Sequence, residues 1–264
     1  MRNITPQLLV LVLSTFLGVL VGPPQINAAT PCAGWQSAGF WKTATLNAVT
    51  SCLVTSSPNA RNKFGGTPLH WAVANSTTPA IITALVSAGA DVNAHTKDGL
   101  TPLHGAAMLS TTPAIITTLV DVGANINARD KDGLTPLHTA AMRSTTPAII
   151  TALVDAGANI NALTKRGWTP LIAAAAYSKT PAIITALVSA GADVNGRAKF
   201  GLTPLHFAAA LSTTPAIIIA LLNAGADARA TDTQGKRPIY YVKNNWALVG
   251  SNAYRKLKAV SYGN

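Results

Sequence analysis

Thr67-Pro68-Leu69-His70, Thr101-Pro102-Leu103-His104, Thr135-Pro136-Leu137-His138, Thr169-Pro170-Leu171-Ile172 and Thr203-Pro204-Leu205-His206 are five versions of one phrase, each 34 residues after the last. A fixed period of this size predicts stacked supersecondary units in place of one closed core. In such a stack each unit touches only its neighbours, so the 264 residues predict one elongated domain. An open stack offers a surface more readily than a pocket. The functional question is therefore which partner it holds.

Residues 67–100 serve as the type unit. Thr67 is placed to cap a helix, and Pro68 sits at the first helical position, where its missing N–H costs nothing. Thr78 and Pro79 repeat that start for a second helix. Ile81, Ile82, Leu85 and Val86 then fall on one helical face. Gly89 suits the left-handed residue that ends a helix, and Lys97-Asp98-Gly99 reads as a turn. Each unit is thus helix, turn, helix, hairpin-like loop. Helices of two turns do not stand alone in water, so each pair needs its neighbour. Four large aliphatics per interface supply about 6–12 kcal/mol of gross transfer free energy, most of it consumed by chain ordering.

Thr-Pro-Leu-His-x-Ala, the helix pair, Ala-Gly-Ala-Asp-Val-Asn-Ala and a glycine turn together resemble the ankyrin repeat over residues 60–236. The resemblance implies an all-α solenoid with five full repeats at 67–236. A cap at 30–66 precedes them, and capping helices at 237–264 follow. It also implies that the repeated histidine has a structural role. Ile172 replaces it in the fourth repeat, which puts one inter-repeat hydrogen bond in doubt. Arg229 stands where Asn93, Asn127, Asn161 and Asn195 stand elsewhere, which predicts a less ordered loop.

Residues 1–29 read as a secretory leader: Arg2, an apolar run from Leu8 to Val21, then Gly22-Pro23-Pro24 and small residues. The expectation is an exported protein, periplasmic or secreted; retention of the leader as an anchor is the alternative. Cys32 and Cys52 are the two cysteines, and an even count in an exported chain predicts a disulfide between them, with two buried thiols as the alternative.

Four of the five histidines lie in the repeated phrase, one per unit, which argues against a converged catalytic or metal site. All nine acids are Asp, and they are scattered. No phosphate-binding glycine loop, nucleophile elbow or metalloprotease helix is present. The reading is non-catalytic, with no cofactor and no metal. Asp91, Asp193 and Asp227 share one repeat position with Asn125 and Asn159, which fits turn hydrogen bonding.

Differences between near-identical repeats mark the expected partner surface. At the first-helix ends these are Met108, Leu109, Met142, Arg143, Tyr177 and Leu211. At the loop tips they are Lys63, Phe64, Lys97, Asp98, Lys131, Asp132, Lys165, Arg166, Lys199 and Phe200. By resemblance to the family these positions line a concave groove. The leading reading is a monomeric scaffold that binds another protein there. The alternative rests on charge. Twenty Lys and Arg against nine Asp give +11, and the five tip lysines recur every 34 residues. With a second basic cluster in the last cap, that balance suits an anionic polymer or a membrane surface. Nucleic acid is disfavoured for an exported chain.

Overall fold

The computed structural model describes Cys32, residues 34–35 and residues 38–263. The leader expected at 1–29 lies outside the described residues. Every regular element among the described residues is helical. They form two compact units. One contains the described residues up to Ala106 together with Ala114–Asn125; the other contains Ala107–Pro113 together with those from Ile126 onward.

In the first unit α1 (Ala38–Thr43) and α2 (Leu46–Leu53) precede α3 (Pro68–Asn75) and α4 (Pro79–Ser87). Helix α1 packs on α3 and α2 on α4. The 38–66 segment, expected only as a cap, is therefore itself built as a helix pair and loop. Thr45 caps α2 by accepting the Ala48 N–H at 3.2 Å. Trp41 is buried, donates from its indole to the Trp35 carbonyl at 3.0 Å, and meets Phe40 edge-on at 4.9 Å. Cys32 and Cys52 are joined as a disulfide with Cα atoms 5.5 Å apart, tying the chain ahead of α1 to α2. Helix α5 (Pro102–Leu109) belongs to this unit as far as Ala106, and α6 (Pro113–Asp121) from Ala114 onward.

The second unit holds α7 (Pro136–Arg143), α8 (Pro147–Asp155), α9 (Pro170–Tyr177), α10 (Pro181–Ser189), a 3-10 turn at Lys199–Gly201, α11 (Pro204–Leu211), α12 (Pro215–Asn223), α13 (Pro238–Val242) and α14 (Asn252–Tyr262). Within it α7, α9, α11 and α13 pack in one row and α8, α10, α12 and α14 in another. The first-helix row is close because alanines fill it: Ala140, Ala141, Ala173 to Ala176, Ala208 and Ala209 are all buried.

Local signals set the boundaries of the repeat helices. Thr135 accepts the His138 N–H while His138 Nδ1 accepts the Thr135 N–H at 3.2 Å, a reciprocal cap. Second helices end on a left-handed glycine. Gly157, at φ 91°, donates to Val154 and Ala158 to Leu153, both at 2.9 Å. Two expectations need correction. Thr78, Thr146, Thr180 and Thr214 hold the cap position, but their side chains make no capping bond. The preceding serine closes the turn instead, Ser144 Oγ accepting the Thr146 N–H at 3.0 Å. Ile81, Ile82 and Leu85 are fully buried, but Val86 sits at the edge of the stripe and is only half-buried.

Candidate functional site

The repeated histidines are framework. In repeats one, three and five the ring Nδ1 accepts the threonine N–H, so Nε2 carries the proton and donates to a carbonyl 30 residues on. His70 reaches Leu100 at 3.1 Å, His138 reaches Trp168 at 3.0 Å and His206 reaches Lys236 at 3.1 Å. Burial holds His70 and His138 down to about 4, and lowers His206 as well. Neutral imidazoles with both nitrogens engaged have no lone pair to offer a ligand.

A second ladder joins the loops. The amide of Asn59 donates to the Gly89 carbonyl at 2.7 Å while its oxygen accepts the Asp91 N–H at 2.8 Å. Asn93 does the same for Gly123 and Asn125. Asn195 does it for Gly225 and Asp227. The Asp91 carboxylate accepts the Asn93 N–H, the turn role expected of that position. Arg229 does not leave its loop loose: it donates from Nε to the Val260 carbonyl at 3.4 Å, bracing the loop against α14.

The loop tips carry a third set of braces. Arg61, Arg129 and Arg197 each donate to the carbonyl 34 residues on, those of His95, Leu163 and Thr231, at 2.6–2.8 Å. These arginines occur in alternate repeats. Their bonds hold the tip backbones in register and leave the neighbouring lysines exposed. Gly65 and Gly133 are required there: both have positive φ, and a Cβ would lie 3.0 Å from the next tip's backbone nitrogen.

Each tip also has a side-chain acceptor that folds it. Asn62, Thr96, Asp130, Thr164 and Asp232 accept the N–H four residues on. Ala198 holds that position in the fourth repeat and has no acceptor to offer. Its tip tightens into the 3-10 turn, and Phe200 takes φ 63° with its ring 73% exposed. A bulky residue with positive φ is strained.

Of the expected partner residues, Lys63, Lys97, Leu109, Lys131, Arg143, Lys165, Arg166, Lys199 and Phe200 are exposed. Phe64, Asp98, Met108, Asp132, Tyr177 and Leu211 are half-buried. Met142 is only 5% exposed and drops out of the set, because it occupies the inward position one residue before Arg143. Trp168, two residues after Arg166, is buried as well.

In the second unit several of these residues converge. Trp168, Ile172, Ala176 and Phe207 form a buried apolar cluster against which Tyr177, Leu202 and Leu211 pack. The Tyr177 ring stacks on Trp168 at 5.9 Å, and Phe207 meets Trp168 edge-on at 4.8 Å. Ile172 belongs to this floor. The carbonyl of Leu202, to which a histidine at position 172 would have donated, keeps the Ala198 N–H at 2.9 Å, the same backbone bond that the Leu100 and Trp168 carbonyls accept alongside their histidines. Replacement of the histidine thus exchanges a polar brace for an aromatic-aliphatic floor. Burial raises the Tyr177 phenol above its ordinary value, while the charges of Arg166 and Arg143 act against that rise. The result is a tyrosine on a rigid floor with two guanidinium groups within electrostatic reach. Its donors suit carboxylates, and its aromatic face suits an apolar side chain.

The model of the family "Ankyrin repeats (3 copies)" matches residues 42–130 and 106–198, together more than half of the chain. The chain belongs to the ankyrin-repeat family. This ankyrin-repeat protein is similar to the crystal structure of the ankyrin repeat domain of Bcl-3, described as a unique member of the IkappaB protein family. Their TM-score is 0.63 and their identity 27%, over 84% of this chain and 98% of that one. The search of curated proteins gives no match. Ankyrin repeats are generally protein–protein interaction modules, and their fold is typically a non-enzymatic binding scaffold.

Proposed function

We propose that this ankyrin-repeat protein holds a protein partner on the first-helix ends and loop tips of its second unit, with Tyr177 at the centre. The observation that carries the reading is the Tyr177 cluster: a stacked aromatic on a buried floor, flanked by Arg143 and Arg166 and bordered by Leu211. Tyrosine and arginine over a packed floor are the residue types that dominate binding energy at interfaces. The exposed tips Lys165, Lys199 and Phe200 extend the same surface. Their charge suits a partner with acidic residues around an apolar anchor. The chain acts as a monomer in this reading, without catalysis or cofactor.

The leader-like residues 1–29 and the cysteine pair support export to the periplasm or the exterior. N-terminal sequencing of the protein recovered outside the cytoplasm should begin near residue 30; a start at Met1 would contradict cleavage.

Binding of the recovered partner is the test of the site. Tyr177→Ala and the Arg143→Ala/Arg166→Ala pair should each weaken binding by about tenfold or more, with unchanged far-ultraviolet circular dichroism. Wild-type affinity in both variants would remove the site.

A further inference from the structure

Four tryptophans, Trp35, Trp41, Trp71 and Trp168, are no more than 8% exposed, whereas Trp246 is 86% exposed. Trp246 does not dangle from a loose end. It lies between Asn245 and Leu248, which are buried, and Asn245 donates its amide to the carbonyls of Ala209 at 3.2 Å and Ser212 at 2.9 Å. Leu248 and Val249 both donate back to the Asn245 carbonyl. A fixed turn therefore presents Trp246, and with it Val249 at 58% exposed, to solvent. Six residues earlier in the chain Tyr240 is 41% exposed, with the Lys243 and Lys236 ammonium groups 4.0 and 4.5 Å from its ring centroid. No acid follows Asp232, while Lys236, Arg237, Lys243, Arg255, Lys256 and Lys258 do.

We infer that this turn and its lysines are a docking surface for an anionic lipid bilayer. Trp246 and Val249 enter the boundary between headgroups and acyl chains, and Lys236 and Lys243 face lipid phosphates. Tryptophan favours that boundary because its ring has an apolar body and a polar edge. A basic segment beside it gains about 1 kcal/mol per lysine from an anionic leaflet. A polyanionic polymer would use the lysines but would not reward an exposed valine. Attachment is to the surface, since no helix among the described residues is long and apolar enough to cross a membrane. The inference goes beyond the protein-binding reading and stands without it.

The full chain is mixed with vesicles of brominated phosphatidylcholine, alone or with equimolar phosphatidylglycerol, and tryptophan quenching is read with Trp246→Phe as the baseline. Quenching specific to Trp246 should occur with the anionic vesicles and fade as salt rises. This readout excludes any lipid affinity of the apolar residues 8–21. In vesicle sedimentation Trp246→Ala should lower partitioning by about tenfold. Lys236→Ala and Lys243→Ala should each lower it by about fivefold, and Trp246→Phe should keep it within about threefold. Absence of Trp246 quenching, or undiminished partitioning of Trp246→Ala, would overturn the proposal. So would heparin binding tighter than vesicle binding and indifferent to Trp246→Ala, which would assign the lysines to a polymer.

Discussion

The chain contains its own control for the role of the repeated histidine, because the fourth repeat carries Ile172 where the others carry histidine. Replacing His138 with isoleucine copies that change into a neighbouring repeat. At pH 7 the variant leaves the buried Thr135 N–H without the Nδ1 that accepts it, a loss of about 1–3 kcal/mol. The Trp168 carbonyl keeps the Thr164 N–H at 3.0 Å, so no second orphan is created. Acid changes the balance. His138 titrates at about 4 in the folded chain against 6.5 when free. Between those values the unfolded chain binds a proton that the folded chain refuses, so stability falls as pH drops. The effect is about 3 kcal/mol by pH 4 and is complete only below it. Near pH 5 it is a slope of about 1 kcal/mol per pH unit for His138, with a similar one for His70. Asp130 acts in the opposite sense. Burial raises it to about 6 from 3.8, so the folded chain takes its proton first and gains stability as pH falls. Asp130 offsets roughly one of the two histidines. The wild type should therefore lose stability toward pH 4, and His138→Ile should lose about 1 kcal/mol less per pH unit near pH 5. The two curves should cross between pH 7 and 4. Urea unfolding followed by circular dichroism at several pH values measures both. A variant penalty that stays constant from pH 7 to 4 would refute a buried, neutral histidine.

Three further outcomes follow from the braces. Asn195→Ala removes the bonds to Gly225 and Asp227 and should cost about 1–2 kcal/mol in urea unfolding, moderated by the exposure of the site. Ala198→Thr supplies the acceptor that Thr96 and Thr164 supply in their own tips. It should return Phe200 to negative φ and raise stability by about 1 kcal/mol, read by denaturation and by the Phe200 amide shift. Reducing Cys32–Cys52 opens a 20-residue separation and should lower stability by about 3 kcal/mol, concentrated in hydrogen exchange of α1 and α2.

Much of this fold was legible because its signals are local and repeated. Threonine before proline, the Ile-Ile-x-x-Leu stripe and the glycine after each second helix act within one turn of where they stand. Partner positions were legible only to within one residue. Met142 and Arg143 are adjacent at a helix end, and a rotation of about 100° per residue buries the first and exposes the second. The arginine braces left no trace, because their acceptors are backbone carbonyls that any residue provides. The Asn59 brace was hidden because the segment around it lacks the Thr-Pro phrase. Trp246 passed unnoticed since a lone tryptophan reads as core; only the burial of Asn245 and Leu248 on either side shows that it must point outward.

The most direct measurement is site-specific photo-cross-linking in the partner's native extract. A photoreactive residue is placed at Tyr177 or Leu211, or at Thr185 or Ile219 in the shallow groove between α10 and α12. The account predicts one protein cross-linked from 177 and 211 and none from 185 and 219. Cross-linking of that protein from 185 and 219 alone would contradict it.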